Sequence, residues 1–373
     1  MDKHLHIICL DIPYPVDYGG VFDLFYKIKA LHEKGIKIHL HCFEYGRSRQ
    51  AELSRYCIDV QYYKRKTGIK GFSATLPYII SSRKSTALLQ NLSKNDYPIL
   101  IEGIHCSHLL TDERFKSRKI ILRLHNVEYL YYRELYRTTN SVFKKLYYFF
   151  ESKLLFRYEK KISQKVLIAS VSEQDLLIYR KQFYTDRIFY LPVFLPYKKV
   201  LALEGIGDYC LYHGNLSVPE NEKAATWLLK NVFKDLGTAF VIAGKNPSVS
   251  LEKRVSQQAN TCLVINPTES EMQDLIEKAQ INVLPSFNKT GIKLKVMNAL
   301  FNGRHCVVNE AATLGTSLTG ACHTGSNAEA LKSIITQLYH LPFGEEDMKL
   351  RKFLLEGNYD NSKNAQQLIQ WIW

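Results

Sequence analysis

Residues Leu284-Pro-Ser-Phe-Asn-Lys-Thr-Gly-Ile-Lys-Leu-Lys-Val-Met-Asn-Ala-Leu300 carry the most specific signal in the chain. A short apolar run ends at Leu284, a polar loop follows, and a helical pattern begins near Gly291. Lys293 and Lys295 fall in the first turn of that helix, where cations oppose the helix macrodipole. An anion lying against the same N–H groups accounts for them, and a diphosphate is the natural candidate. A solvated lysine pair is the plain alternative.

The same strand–loop–helix order recurs on both sides of this segment. In the second half, strands are expected near 209–213, 239–243, 262–265, 281–284 and 305–308, with helices near 221–233, 269–279 and 292–302. Gly214-Asn-Leu-Ser-Val-Pro-Glu-Asn221 and Ala243-Gly-Lys-Asn-Pro247 are two further loops in which glycine closes a strand and polar groups follow. In the first half, strands are expected near 5–11, 37–43, 98–102, 119–124, 166–171 and 188–191. A helix over 21–34 places Leu24, Ile28 and Leu31 on one face and ends at Gly35. This alternation predicts parallel α/β units, whose ligands bind beyond the carboxyl ends of the strands. Leu191-Pro-Val-Phe-Leu-Pro196 interrupts the series and sets a domain boundary at about 195. The expected division is 1–195, 196–355 and a terminal helix over 356–373 that ends in Trp371 and Trp373.

Composition narrows the function classes. The 373 residues carry 50 Lys and Arg against 36 Asp and Glu, a formal charge of +14. Residues 1–200 hold 34 basic and 19 acidic side chains and the remainder 16 and 17, so the first half carries the whole excess. Such asymmetry points to an anionic partner for that half. Between Tyr129 and Tyr158, 11 Tyr or Phe interleave with Arg133, Arg137, Lys144, Lys145, Lys153 and Arg157. That mixture suits the headgroup region of an anionic bilayer. The basic stretch Tyr62–Lys70 suits the same surface or an acceptor diphosphate. No recognised nucleic-acid motif accompanies the charge. The opening residues read as a strand and lack the layout of a leader peptide, and no apolar run reaches the length of a membrane span. Eight scattered cysteines have no zinc spacing and are expected to be buried, reduced thiols of a cytosolic protein.

Three more loops complete the pattern. Asp11-Ile-Pro-Tyr-Pro-Val-Asp-Tyr-Gly-Gly20 joins the first strand to its helix. Arg123-Leu-His-Asn-Val-Glu128 follows the fourth expected strand and brings His, Asn and Glu to its carboxyl end. Val171-Ser-Glu-Gln-Asp175 precedes the interdomain crossing. Taken in order with the loops at 213–221, 243–247 and 290–300, these segments resemble retaining family 4 glycosyltransferases over essentially the whole chain.

The resemblance implies the GT-B fold: two Rossmann-like α/β domains facing across a cleft, with the terminal helix returning to the first. It implies an acceptor-binding first half and a second half that binds a UDP- or GDP-linked sugar, without metal or other cofactor. It further implies transfer of a hexose with retained configuration to a glycan or polyprenyl-diphosphate-linked acceptor in bacterial surface polysaccharide synthesis. The enzyme would lie in the cytoplasm, peripheral on the inner face of the plasma membrane.

Carried over position by position, His125, Lys245 and Lys293 take catalytic roles. Gly19, Gly20, Gly214, Asn215, Thr290, Gly291, Ile292, Lys295 and Asn298 would meet the donor, and Arg123 and Glu128 the acceptor. This chain departs from the family where two glutamates are usual, since Thr290 and Asn298 stand there. Asn215 and Asn221 replace the usual Arg and Lys. The departures leave a second reading open, a catalytically inactive homologue acting as a binding or scaffold subunit.

Overall fold

The computed structural model describes residues 2–16 and 19–373, with Gly19 described by its backbone alone. The chain divides into two compact units, 1–196 together with 359–373, and 197–358.

The first unit is built on seven parallel strands: β1 (His4–Cys9), β2 (Lys37–Glu44), β3 (Asp59–Lys64), β4 (Ile99–Glu102), β5 (Ile120–Leu124), β6 (Leu167–Ser170) and β7 (Ile188–Tyr190). Their order across the sheet is β3-β2-β1-β4-β5-β6-β7. Register follows from the period of two. Leu5, Ile7 and Cys9 share one face with Ile38, Leu40 and Cys42, against α1 (Gly19–Glu33). Ile8 and Phe43 belong to the core on the opposite face. That second face is covered by α2 (Glu128–Thr138), α3 (Val142–Ser163) and α4 (Glu173–Phe183). β3 is absent from the sequence reading because it is an edge strand, half exposed and without the apolar run that marks its neighbours.

The second unit repeats the plan with β8 (Cys210–His213), β9 (Phe240–Gly244), β10 (Thr261–Ile265), β11 (Ile281–Val283), β12 (His305–Val308) and β13 (His323–Thr324). The parallel order is β10-β9-β8-β11-β12-β13. In both sheets the winding reverses beside the first strand, between β1 and β4 and between β8 and β11. Ligand crevices of doubly wound sheets form at that reversal, at the carboxyl edge. The helices that frame it in the second unit are α5 (Pro219–Asn231), α6 (Glu269–Lys278) and α7 (Leu294–Asn302).

The terminal helix α8 (Asn361–Ile372) returns to the first unit. Ala365, Leu368, Ile369 and Ile372 enter the same core as α1. The Asn361 carboxamide both accepts from Leu195 N (3.0 Å) and donates to Leu195 O (2.6 Å). Trp371 packs on Phe189 and Lys3 lies over the Trp373 ring, so the apolar tail is docked. Six of the cysteines are buried, but Cys322 is half-buried and Cys262 is exposed on β10.

Candidate functional site

The carboxyl edge of the second sheet gathers the loops at 213–221, 244–247 and 284–293. Gly244 is required there by close approach, since a Cβ would lie 1.9 Å from Gly214 O and 2.8 Å from Leu216 Cγ. The Asn215 side chain accepts from Ser217 N and Oγ, closing the loop before α5. After β11 the chain is held by its own polar groups. Asn309 pairs with both the N–H and the carbonyl of Ser286. Asn288 Oδ1 accepts from Thr290 N (2.9 Å) and Oγ1 (3.0 Å). Gly291 adopts φ +66°, which admits glycine without strain. The backbone that leads into α7 is therefore preorganised.

Both lysines of that entry are half-buried. Lys293 Nζ donates to Thr290 O at 2.6 Å. Lys295 Nζ crosses from α7 to the β8 side, donating to Tyr212 Oη (3.1 Å) and Asn221 Oδ1 (3.3 Å). Its pKa falls to about 8 because burial outweighs the attraction of Glu220, with Lys293 adding repulsion. Among the described residues no carboxylate lies within ion-pair distance of it. His213, the last residue of β8, is buried with Nε2 unpaired, and burial together with Lys295 lowers its pKa to about 3. A half-desolvated cation without an ion-pair partner at the sheet's reversal point offers an anion a favourable place in chemical terms. Tyr212, Asn221 and His213 were not singled out as ligands from sequence. Tyr212-His213 closing β8 just before Gly214 is the signal that marks the first and the last of them.

Gly214 lies at the loop's start and Lys245 projects exposed from the end of β9. Ile292 and Asn298 are half-buried. Asn298 Oδ1 accepts from Asn302 Nδ2 at 2.8 Å. Thr290, Gly291, Ile292, Lys293, Lys295 and Asn298 therefore share one helix entry with Gly214 and Asn215 across from it. Lys245 stands on the neighbouring strand.

The reversal point of the first sheet holds a buried ionic network that sequence reasoning missed. Arg123 grips Asp23 through Nε (3.0 Å) and Nη2 (2.9 Å), and also donates to the carbonyls of Leu191 and Pro192. Lys27 joins Asp23 (2.7 Å) to Glu102 (2.9 Å), and His125 Nε2 meets Glu102 Oε2 at 3.1 Å. Burial by itself would raise the Asp23 pKa, yet Arg123 and Lys27 hold it well below the usual carboxylate range. The signal available in sequence was Lys27, a charged residue on the apolar stripe of Leu24, Ile28 and Leu31.

Two expectations are corrected here. Arg123 is fully buried and its guanidinium is engaged by Asp23 and two carbonyls, so it supports the interior and does not meet an acceptor. Glu128 begins α2 with its carboxyl turned inward, where burial raises its pKa to about 7 against a hydrogen bond with Asn126. His125 keeps partial exposure at 16%. Asp23, Glu102 and His125 bring ligand atoms within 4.8 Å of one another. Lys27 and Arg123 already neutralise both carboxylates, so the donor set does not fit a metal cation. Gly20 is half-buried in the first turn of α1, which begins at Gly19, while Asp17 and Tyr18 of that loop lie outside the described residues.

The basic aromatic segment forms two packed helices, α2 and α3. Tyr129, Leu155 and Tyr158 are core residues. Val142, Phe143, Leu146 and Phe150 are exposed, with Phe143 at 88%. Glu151 accepts from Tyr78 N and ties α3 to the strap that carries exposed Ile69 and Phe72. No helix of the described residues is long and apolar enough to cross a membrane.

Comparison with known proteins bears on this geometry. Residues 207–340 match the family model of glycosyl transferases group 1. A 44.6 kDa protein of the cps region of Klebsiella pneumoniae is 28% identical, with 96% of each chain covered. Among solved structures, S. aureus TarM aligns with a TM-score of 0.68 at 12% identity, covering 100% of this chain and 99% of its own. Anabaena HepE in complex with UDP and glucose aligns at 0.64 and 10% identity, covering 99% and 98%. At these identities the structural likeness is one of fold, and that fold is GT-B.

Proposed function

We propose that this GT-B chain, whose second unit matches glycosyl transferases group 1 over residues 207–340, is a retaining, metal-independent hexosyltransferase. It would use a UDP- or GDP-linked sugar. The observation that carries the reading is Lys295, unpaired by any carboxylate and held at the β8–β11 reversal point beside Lys293 and the preorganised 286–291 loop. These cations and the α7 N-terminus suit the diphosphate of a nucleotide sugar. Electrostatic support of the departing diphosphate is then the main catalytic task. Gly214, Lys245 and Asn298 complete the donor side, with Asn298 offering an uncharged amide to the ribose. His125, oriented by Glu102, is the polar group of the first unit best placed to meet a sugar hydroxyl. The 28% identical relative of the cps region supports surface polysaccharide as the product.

The first unit would take a glycan acceptor on a lipid carrier. Exposed Phe143, Leu146 and Phe150 beside Lys144, Lys145 and Lys153 favour peripheral attachment to an anionic membrane, where each Lys or Arg adds about 1 kcal/mol. A thermal-shift series with UDP, GDP and their sugar conjugates, with and without EDTA, tests the donor assignment. One nucleotide should stabilise the wild type regardless of chelator, by about 2.7 kcal/mol at 100 times its Kd. The Lys293→Ala/Lys295→Ala variant should lose that response. No response to any nucleotide would select the inactive binding subunit, with Thr290 and Asn298 as the reason.

A further inference from the structure

The first unit contains a second basic site that the reaction described above does not use. A cavity of about 250 Å3 is lined by Lys66, Arg83, Lys84, Ser85, Thr86 and His108, with apolar walls from Leu88, Leu89 and Leu109. It is assembled from chain that follows the carboxyl ends of β3 and β4. Lys66 N donates to Ser82 O at 2.8 Å, which pins the segment after β3 against the one that carries Arg83 and Lys84. No carboxylate belongs to the lining. The nearest acids act from outside it, Asp11 and the buried Glu128 toward Arg83 and Asp112 toward His108. Asp112 is itself paired with Arg114 at 2.7 Å.

Arg83 is the unusual member. It is 5% exposed, and its Nε and Nη1 donate only to backbone carbonyls, of Leu10 (3.2 Å) and Ile79 (2.8 Å). Among the described residues it forms no ion pair. A buried guanidinium without a counter-ion is costly, and Arg is the side chain whose fork fits a phosphate in two contacts. The cost is explained if the counter-ion is a ligand. Lys66 and Lys84 at the mouth and the hydroxyls of Ser85 and Thr86 supply what a multiply charged oxyanion needs. The cavity is several times the roughly 30 Å3 share of one water, which leaves room for a phosphate or diphosphate group.

We propose that this cavity binds a phosphate or diphosphate ester carried by the acceptor, separately from the donor diphosphate of the second unit. The assignment to the acceptor rests on the glycosyl-transfer reading, whereas the anion site itself does not. Acceptor selection then reads a charged linkage group as well as a sugar, and only phosphate-linked acceptors gain the full affinity.

Titration calorimetry on the full chain with inorganic phosphate, pyrophosphate and farnesyl diphosphate tests this, with UDP and GDP titrated in parallel. Pyrophosphate and farnesyl diphosphate should bind the wild type. Lys66→Ala/Lys84→Ala should weaken both tenfold or more, leave nucleotide affinity unchanged, and avoid the folding risk of Arg83→Met. The response should persist in Lys293→Ala/Lys295→Ala. An anion response that disappears in Lys293→Ala/Lys295→Ala but survives Lys66→Ala/Lys84→Ala would place the ligand at the donor site and overturn the proposal. So would a wild type that binds none of the three anions. Binding of pyrophosphate without farnesyl diphosphate would identify a free-anion site and overturn the acceptor role. A chain that binds no nucleotide, yet loses pyrophosphate with Lys66→Ala/Lys84→Ala, would overturn glycosyl transfer while retaining the anion pocket.

Discussion

Lys295 Nζ lies 3.1 Å from the Tyr212 hydroxyl and 4.5 Å from the centre of its ring. One cation thus links the helix after β11 to the strand on the other side of the sheet's reversal point. Tyr212 is fully buried, so it fixes the lysine from below while leaving no counter-charge. Replacing Lys295 by Met keeps the aliphatic stem and removes the charge. Hydrogen bonds to charged groups contribute about 1.5–3 kcal/mol, so nucleotide affinity should fall roughly 10- to 100-fold. Because burial already lowers the lysine pKa to about 8, thermal stability without ligand should change little. Calorimetric titration and a melting curve on the same sample separate the two effects.

The Asp23–Arg123 pair calls for a double-mutant cycle. Both side chains are at most 2% exposed, and Asp23 also accepts from Phe194 N at 2.8 Å. Arg123→Met leaves Asp23 with Lys27 as its one ion-pair partner, and removing one partner of a buried pair costs about 3–5 kcal/mol. Asp23→Asn should cost a similar amount. The double variant should be less destabilised than the sum of the singles, as read by urea unfolding. Strict additivity would show that the two side chains do not depend on each other.

Stability should fall on acidification through a histidine pair. His6 Nδ1 and His41 Nε2 are 2.9 Å apart on adjacent strands. Burial lowers their pKa values to about 4 and about 3. In the unfolded chain they bind protons at about 6.5, so between pH 6.5 and 4 the unfolded state holds more protons and stability decreases as pH falls. At about 1.4 kcal/mol per pKa unit, His6 accounts for up to about 3 kcal/mol. His6→Gln should flatten that limb of the stability profile.

Glu128 should act in the opposite sense. Its folded pKa of about 7 lies above the ordinary glutamate value of 4.5, so the stability it contributes is present below pH 4.5 and lost as pH rises through 7. Glu128→Gln should match the wild type near pH 4.5 and exceed it at pH 8, by up to about 3 kcal/mol. Denaturant melts at the two pH values give the comparison. Equal stability at pH 8 would mean that the carboxylate is solvated.

Amino-acid order alone was enough for everything that depends on local pattern. Apolar-rich segments four to seven residues long marked eleven of the thirteen strands, and the stripe Leu24, Ile28, Leu31 marked α1. Gly291 before Lys293 and Lys295 marked the loop and helix entry that the donor assignment rests on. β3 and the two-residue β13 escaped because neither edge strand carries an apolar run, whereas the edge strands β7 and β10 do. Tertiary structure alone decided which charges stay without an ion-pair partner and which face each other. Arg123 and Glu128 sit in a polar segment that reads like a site, but what turns them inward comes from positions remote in sequence: Asp23 for the first, and for the second the Glu159 carboxylate that accepts from the Glu128 N–H. Conversely, Arg83 reads as an ordinary surface arginine, and only the fold buries it without a carboxylate. Charge pairing is a matter of contacts of 2.9 Å between residues 75 and 100 apart in sequence, as in Lys27–Glu102 and Asp23–Arg123, and no local pattern records them.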